Sequence, residues 1–410
     1  MIVSKTITKT TPKTITKTTS KTTSKTTPKT TPKTTITHLV LSGGGINGFA
    51  SLGALDYLVK HKRMNMDNIR VIAGSSVGAI IALLLVCNYT PREIYNEILN
   101  EDMTTYFQPD LNNLIDHCGF DTGVRFVDKI KELLRGKNIN PNVTFQQLYN
   151  LTKRKLIITA TLLNERIVKY FDYVNYPNRR VVDAVRASFG VPILFTTVKA
   201  MNNSIQEHYV DGGLLDNFPL HLFRDVPASS IIGIKFTKHY NEILNSQGIN
   251  SQGTSIKEIN PNETNETNSK GTHELNHIGD VIIASISCVL HELEYLRSML
   301  YKEAYEKSCI MIDIDDREVF DSLSFNMTKI KKKRLFKQGK QAARKYLKKI
   351  KLSKLNDING EKSLNEEKSS NEKETSMNDK IREKIWRILY KRNMEEFFLA
   401  NKKIFQNDNR

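Results

Sequence analysis

The residues best suited to chemistry in this chain are a serine between two glycines, in the run Gly74-x-Ser76-x-Gly78. This spacing is typical of a nucleophile elbow, a tight turn from strand to helix that exposes the serine at its apex. The apolar residues 69–73 predict a buried strand before the turn, and residues 77–87 predict an apolar helix after it. A serine placed there lies at a helix N-terminus, where the helix dipole favours a developing anion. Because the pattern also arises by chance, a glycine turn with an incidental serine is the alternative.

A glycine-rich loop lies upstream, where a strand predicted at residues 38–42 is followed by Gly43-Gly44-Gly45-Ile46-Asn47-Gly48 and then by a helical pattern. Such a loop points backbone N–H groups at an anion. The glycines also match a dinucleotide-binding fingerprint, but that fingerprint requires an acidic residue ending the second strand, and Asp67 precedes that strand. No Gly-Lys-Ser/Thr follows, which excludes a Walker-type phosphate loop. We therefore expect an oxyanion hole, in which N–H groups of the loop stabilise the tetrahedral intermediate of an ester attacked by Ser76.

A carboxylate in the run Asp211-Gly212-Gly213 closes an apolar segment further along the chain. An Asp-Gly-Gly sequence alone is a common turn. A carboxylate at a strand end could also be the general base that accepts the proton of Ser76. A Ser–Asp–His triad would instead need a histidine after the aspartate, for which His221 and His239 are the candidates. His221 lies within an apolar run, which is more typical of a packed core histidine.

Together these motifs resemble the patatin-like phospholipase family. Residues 39–45 resemble its oxyanion segment, residues 74–79 its nucleophile elbow and residues 187–195 the segment before its aspartate. Asp211-Gly212-Gly213 resembles its Asp-Gly-Ala/Gly motif, which Asn217 and Pro219 continue. The order and spacing agree over roughly residues 36–350. One departure is Asn47, where the glycine loop of the family usually carries Arg or Lys.

The resemblance implies an α/β fold, a three-layer α/β/α arrangement with a mainly parallel central sheet. It also implies lipid acyl hydrolysis by a Ser76–Asp211 dyad, without a metal or other cofactor. The expected oxyanion donors are Gly43, Gly44 and Gly45 of the loop and Val77 after the nucleophile. The other motif glycines are Gly48, Gly74, Gly78, Gly212 and Gly213.

Three functions remain open on this basis. The first is a phospholipase A-type or related hydrolase that cleaves ester bonds of membrane lipids, with phospholipid or another acyl lipid as substrate. The second is a Ser–Asp–His esterase. The third is a non-catalytic lipid-binding or scaffolding protein, against which the intact Ser76, Asp211 and glycine loop argue. No motif supports specific recognition of nucleic acid.

The net charge of +17 over 410 residues is concentrated in two segments. Residues 1–35 contain eight lysines in a strict four-residue repeat and no acid, and residues 329–351 contain 12 Lys or Arg and no acid. The rest of the chain therefore has a net charge of −3. Peripheral contact of both segments with anionic membranes is one interpretation, and a solvated repeat tail and a docked surface helix are the alternatives.

The domain organisation follows from composition. We expect a disordered Lys/Thr tail at 1–35, a catalytic domain at 36–350 with a disordered insertion at 241–275, a polar linker at 351–380 and an amphipathic helix at 381–410. Within the domain, the patterns predict strands at 156–162, 167–172, 231–236 and 309–314 and helices at 181–188, 276–307 and 329–351.

A helical insertion at 101–155 includes four apolar residues that could line an acyl groove or merely pack: Phe107, Leu111, Leu114 and Phe120. Thr144 and Gln147 predict a capping box for the last helix of this insertion. The N-terminus lacks the apolar core of a secretory signal, no stretch approaches about 20 apolar residues, and the four cysteines are scattered. These features favour an intracellular protein, cytoplasmic or at the membrane periphery.

Overall fold

A computed structural model describes residues 35–202, 204–238, 293, 297, 307–314 and 327–360, with side chains described up to residue 352. The predictions for the tail before residue 35, the insertion at 241–275, most of the helix at 276–307 and the C-terminal helix at 381–410 lie outside these residues.

Ten strands are described, and eight of them form one sheet in the order β10-β9-β1-β2-β4-β8-β7, with β5 also paired to β4. The other two, β3 and β6, form a small parallel sheet of their own. The strands are β1 (His38–Leu41), β2 (Val71–Gly74), β3 (Gly119–Asp121), β4 (Lys155–Leu162), β5 (Ile167–Phe171), β6 (Ile193–Phe195), β7 (Val198–Asn202), β8 (Ile205–Asp211), β9 (Ile231–Lys238) and β10 (Cys309–Ile314).

Parallel pairing dominates the half of the large sheet that carries the glycine motifs. β1 pairs in parallel with β2 and β9, β9 with β10, and β2 with β4. The antiparallel pairs are β4 with β5, β4 with β8, and β7 with β8. Leu41 is aligned with Gly74. The glycine loop after β1 and the serine turn after β2 therefore leave the same edge of the sheet side by side.

The described helices pack around this sheet. Thr90 begins one of them with a capping box to Glu93 and a proline at the first helical position, and the predicted box of Thr144 and Gln147 is confirmed. The helices are α1 (Gly48–Lys60), α2 (Val77–Val86), α3 (Pro91–Leu99), α4 (Leu111–His117), α5 (Val124–Gly136), α6 (Phe145–Thr152), α7 (Val181–Ser188), α8 (Gly213–Asp216) and α9 (Lys329–Gly360).

Both faces of the sheet are covered at its central strands. Successive residues of a strand point to opposite sides, and residues of both sets are buried. Leu39 and Leu41 pack into the larger core with α1 and α2, whereas Val40 packs on the other face against the segment that includes Phe218. The predicted α/β fold, with a mixed but mostly parallel sheet flanked by helices, is confirmed. No described helix is both long and apolar enough to cross a bilayer.

The basic segment predicted at 329–351 forms the first part of α9, which packs mainly on α1. Leu335 and Phe336 are buried as predicted, but Ile330 is 80% exposed, so the buried face begins further along the helix. One lysine is also buried. The Lys332 ammonium donates to the carbonyl oxygens of Ile98 and Glu101 at the end of α3, where the helix leaves carbonyls unpaired.

Candidate active site

Ser76 occupies the sharp turn between β2 and α2. Its backbone has φ 52° and ψ −125°, a conformation that non-glycine residues rarely adopt. The turn fits against β1 only because residue 78 is glycine, since a Cβ there would lie 2.5 Å from the Leu41 carbonyl oxygen. The Ser76 N–H donates to the Ser188 Oγ at 2.9 Å. These contacts hold the serine at the apex, as the elbow pattern predicts.

Asp211 is the last residue of β8, where it pairs with Ala160 of β4. Its N–H donates to the Gly190 carbonyl at 2.9 Å, and its own carbonyl accepts from the Thr161 hydroxyl at 3.0 Å. The Gly213 N–H donates to the Oδ1 atom of the carboxylate at 2.6 Å. The backbone and one carboxylate oxygen are thereby fixed, which leaves the other oxygen to face the serine.

The Ser76 Oγ donates to the Asp211 Oδ2 at 2.7 Å, although the two residues are 135 positions apart in the chain. Both are buried, with exposures of 8% and 6%. Burial raises the pKa of Asp211 from 3.8 to about 6, and the hydrogen bonds from Ser76 and Gly213 act in the opposite direction. The carboxylate can therefore accept a proton from the serine more readily than an ordinary aspartate could.

The glycine loop supplies fewer N–H donors than the sequence predicts. The Gly43 N–H donates to the Asn217 carbonyl at 3.1 Å, so this group is not available to an oxyanion. Gly43 instead provides space, because a Cβ at this position would lie 3.0 Å from the Ser76 Cβ and 2.3 Å from the Asn217 Oδ1. The expectation of an oxyanion donor at Gly43 is corrected accordingly.

Three of the predicted donors have backbone N–H groups that no described residue accepts. The N–H groups of Gly44, Gly45 and Val77 have no hydrogen-bond acceptor among the residues that the structure describes. Gly45 has a φ of 53°, which glycine adopts without strain, and it lines the same cavity as Ser76 and Val77. The remaining motif glycines end β2 (Gly74), begin α1 (Gly48) and precede α8 (Gly212).

Asn47 stands where the family that this sequence resembles usually has a basic residue, and it is 2% exposed. Its side-chain oxygen is buried without a hydrogen-bond donor within the described ranges. The loop therefore carries a buried neutral amide at this position. Residue 47 therefore adds no positive charge to the loop, whose backbone dipoles remain available to stabilise an anion.

His221, the triad candidate, has a separate set of partners. Its Nε2 lies 3.2 Å from the Tyr170 Oη and 3.7 Å from the Asp216 Oδ2. At 3% exposure it is the packed core histidine that the apolar run predicts. His239, the second candidate, lies outside the described residues.

An apolar cavity of about 180 Å³ adjoins Ser76. Its walls come from one face of α2, including Ile81 and Leu84, and from α1, α3 and α5. Engineered cavities of about 150 Å³ with comparable linings stay dry and bind benzene, so a cavity of this size accepts a hydrocarbon segment. The apolar lining next to Ser76 therefore suits a hydrocarbon chain.

The groove residues expected from the insertion are not the ones that line this cavity. Leu111 is 68% exposed, and Phe107 packs edge-on against Phe195, which does form part of the wall. The insertion contributes other residues instead, among them Phe126 and Leu133 of α5. Their helical spacing in the sequence is a signal for burial, but it does not distinguish a cavity wall from a packed core.

One wall of the cavity is polar and internally paired. The Lys129 ammonium lies 3.0 Å from the Glu101 Oε1 and 2.9 Å from the Glu132 Oε1. The Tyr106 hydroxyl donates to the Glu101 Oε2 at 2.7 Å. Glu101, Tyr106 and Lys129 therefore form a neutralised polar patch on a lining that is otherwise almost wholly apolar.

The fold and the site together define a class: an α/β protein with a buried serine–carboxylate pair beside an apolar cavity. Comparison with known proteins gives the family. Residues 39–224 match the family model described as patatin-like phospholipase. The matched region is thus a patatin-like phospholipase region, and the chain is similar to this family of lipid hydrolases.

Similar proteins occur in viruses, bacteria and eukaryotes. An uncharacterized protein of Acanthamoeba polyphaga mimivirus is 28% identical over 77% of this chain and 95% of its own length. A probable lipid hydrolase of Invertebrate iridescent virus 6 is 30% identical over 45% of this chain and 62% of its own length. A triacylglycerol lipase of Arabidopsis thaliana is 31% identical over 40% of this chain, but over only 20% of its own length.

Among solved structures, VipD from Legionella pneumophila resembles this chain with a TM-score of 0.46 and 15% identity. The similarity covers 78% of this chain and 67% of that protein.

Proposed function

We propose that this protein is a serine acyl hydrolase that cleaves carboxylic ester bonds of membrane lipids. The observation that carries the proposal is the 2.7 Å hydrogen bond from Ser76 to Asp211. Its position beside an apolar cavity supports a substrate with a hydrocarbon chain. The match of residues 39–224 to the patatin-like phospholipase model supports the same reaction class.

In the acylation step, the Ser76 Oγ attacks the carbonyl carbon of the ester while its proton passes to the Asp211 Oδ2. The carbonyl oxygen becomes an oxyanion and accepts hydrogen bonds from the N–H groups of Gly44, Gly45 and Val77. The intermediate then collapses. The bond to the alcohol oxygen breaks, Asp211 returns the proton to that oxygen, and the acyl group remains on Ser76 as an ester.

In the deacylation step, a water molecule attacks the acyl carbon and gives a proton to Asp211. The second tetrahedral intermediate uses the same backbone donors. Its collapse breaks the bond to the Ser76 Oγ, which takes the proton back from Asp211, and releases the carboxylic acid. The raised pKa of Asp211 suits both directions of transfer, since the group must accept and then return a proton at near-neutral pH.

The apolar lining formed by the described residues suits the acyl chain of a phospholipid and that of a neutral lipid alike. A phospholipid ester is the substrate we propose first, because the matched family model is described by that activity. A triacylglycerol is the second candidate, in view of relatives that carry the name triacylglycerol lipase.

The enzyme experiment is a labelling and hydrolysis comparison of wild type, Ser76→Ala and Ser75→Ala. Ser75 is a matched control, since it is the adjacent buried serine of the same turn. A fluorophosphonate probe should label wild type and Ser75→Ala, and only these two should release fatty acid from phosphatidylcholine or trioleoylglycerol dispersions. Retained hydrolysis in Ser76→Ala would refute the assignment. A wild type that binds these lipids but neither reacts with the probe nor releases acid would favour the non-catalytic, lipid-binding alternative.

We also propose that α9 contacts anionic membranes. Lys345, Lys348 and Lys349 are exposed on this helix, and each cation near an anionic surface contributes about 1 kcal/mol to attraction. Replacing these three by glutamine should weaken binding to vesicles that contain phosphatidylserine at low salt. A control with Lys60, Lys62 and Arg63 replaced removes the same charge from exposed positions at the end of α1. Equal weakening in both variants would indicate a net-charge effect and contradict a role for α9.

A further inference from the structure

We infer that one face of α2 sets how many carbons of the acyl chain the cavity buries, and hence the chain length beyond which kcat/KM stops rising, with Leu84 and Leu133 forming the floor of the cavity. The inference rests on the proposed function, because it assigns a specificity to the same site. It concerns which ester is cleaved fastest and not how the bond is cleaved.

The cavity has an upper end at the serine. The Ser76 N–H donates to the Ser188 hydroxyl. The ring of the next residue, Phe189, has its centroid 5.7 Å from that of Phe126 at the start of α5. Phe126 and Phe189 both line the cavity. The beginning of α2 and the beginning of α5 are therefore at the same level as the reacting atoms.

The lower end is fixed by Tyr89, which follows α2. Its N–H donates to the Leu84 carbonyl at 3.0 Å, and its hydroxyl donates to the Leu133 carbonyl at 2.8 Å. Leu84 and Leu133 both line the cavity, and both lie two turns beyond the residues at the upper end. Ile94, in the first turn of α3, also lines the cavity.

The positions of polar and apolar side chains agree with an upper end at Ser76 and a lower end at Leu84 and Leu133. The polar patch of Glu101 and Lys129 adjoins Tyr106, whose ring lies 5.4 Å from that of Phe126 at the upper end. Leu84, Leu133 and Ile94 are all apolar. A lipid with its ester at Ser76 would therefore keep its polar part at the upper end and place only its hydrocarbon at depth.

The rise per residue of α2 gives the depth of the cavity below Ser76. Leu84 is eight residues beyond Ser76, which at about 1.5 Å per residue is about 12 Å along the axis. Helical side chains tilt toward the N-terminus, so the side chain of Leu84 ends at a depth of about 10 Å, and that of Ile81 one turn higher at about 6 Å. A staggered alkyl chain advances about 1.25 Å per carbon, the projection of a C–C bond of about 1.5 Å. The floor therefore corresponds to an acyl chain of about eight carbons.

The test is the chain-length profile of kcat/KM for p-nitrophenyl esters of 2 to 16 carbons. We expect wild-type kcat/KM to rise about fourfold per added methylene, the effect of burying one CH₂, and to stop rising near eight carbons. Leu84→Ala should move this break about two carbons longer. Ile81→Phe should move it about three carbons shorter.

Leu85→Ala is the matched control. Leu85 is fully buried on the same helix but lies outside the cavity lining. It should lose stability as Leu84→Ala does, yet keep the wild-type break. Thermal unfolding of each variant checks that the protein is folded. Identical breaks in Leu84→Ala and Leu85→Ala, or an unchanged break in Ile81→Phe, would overturn the inference.

A second measurement does not depend on catalysis. Calorimetric titration of Ser76→Ala with free fatty acids of increasing length should show affinity rising to about eight carbons, and the Leu84→Ala change in the same background should extend that range. If no ester is hydrolysed in a Ser76-dependent way, the proposed function fails, and this titration still decides the length limit. An affinity that is insensitive to both Leu84→Ala and Ile81→Phe would show that the chain binds elsewhere.

Discussion

Ser188 joins the two turns of the site through two different groups. Its hydroxyl accepts the N–H of Ser76, and its carbonyl accepts the N–H of Gly212, the residue after Asp211, at 3.2 Å. One residue at the end of α7 thus fixes the relative positions of the serine turn and the aspartate turn.

Replacing Ser188 by alanine should impair catalysis without removing any reacting group. The Ser76 N–H would remain buried without an acceptor, at a cost of about 1–3 kcal/mol in unfolding free energy. Since the same contact holds the strained Ser76 backbone, we expect kcat to fall about tenfold or more. Ser42→Ala is a suitable control, because Ser42 is equally buried and its hydroxyl has no partner in the described part of the chain. Equal effects of both substitutions on kcat would contradict the positioning role.

The pH dependence of kcat/KM should report the ionisation of Asp211. Only the carboxylate can accept the serine proton, and burial raises its pKa to about 6. Activity should therefore rise with pH between about 5 and 7 and reach a plateau above that range. The measurement is kcat/KM for a soluble ester from pH 4.5 to 8.5. A plateau that already begins at pH 5 would show that Asp211 ionises as an ordinary aspartate or is not the base.

The same group should make the protein less stable at neutral pH. The pKa of Asp211 is higher in the folded chain than its usual 3.8, so the folded state holds a proton between pH 4 and 6 that the unfolded state has released. Wild-type stability from this group is therefore present below about pH 4 and is lost as the pH rises through 6, by up to about 3 kcal/mol.

Asp211→Asn removes this titration. The free energy of unfolding, measured with urea, should rise for the variant relative to wild type by up to about 3 kcal/mol on going from pH 4 to pH 7.5. Turnover by the variant should be lost. A difference in unfolding free energy that does not change with pH would contradict the prediction.

Gly45→Ala should separate oxyanion stabilisation from folding. The φ of 53° costs alanine about 1–2 kcal/mol, so the loop would shift and displace the Gly45 N–H. Loss of one such donor typically lowers kcat by about 10²–10³. We expect this fall in kcat with little change in KM and a lower melting temperature. A fully active variant would argue against Gly45 as a donor.

Lys332→Met should destabilise the packing of α9 on α3. The substitution keeps the side-chain volume but leaves the carbonyls of Ile98 and Glu101 without their buried donor, for a loss of about 1–3 kcal/mol. Lys333→Met is the matched control, since Lys333 is exposed on the same helix. Urea unfolding of both variants is the measurement. A similar loss at both positions would mean that the buried contact does not matter.

The local parts of the site are readable from the sequence because each depends on a short run of residues. The serine turn and the glycine loop are strand-to-helix transitions, and glycine spacing encodes them directly. The pairing of Ser76 with Asp211 spans 135 positions, and only the resemblance to a family predicts it. Nothing near Gly43 in sequence indicates that its N–H is taken by Asn217, which lies 174 positions further along the chain.

Other elements escape sequence analysis for physical reasons. β7 and the first two residues of β8 are largely exposed, so this part of the hairpin lacks the apolar runs that mark buried strands, and the pattern does not predict it. The cavity is assembled from apolar faces of four helices. Each face is equally consistent with a packed core, and only their arrangement in space leaves room for a ligand.

The position of β9 affects where the boundaries of an expressed fragment of this chain can be placed. The family match ends at residue 224, yet β9 begins at Ile231 and is hydrogen-bonded directly to β1, the strand that leads into the glycine loop. A fragment trimmed to the matched region would expose the edge of β1 and the apolar side of α1 that α9 covers. The limits of the recognisable sequence are therefore not the limits of an independently folding unit, and an expression fragment should extend through α9.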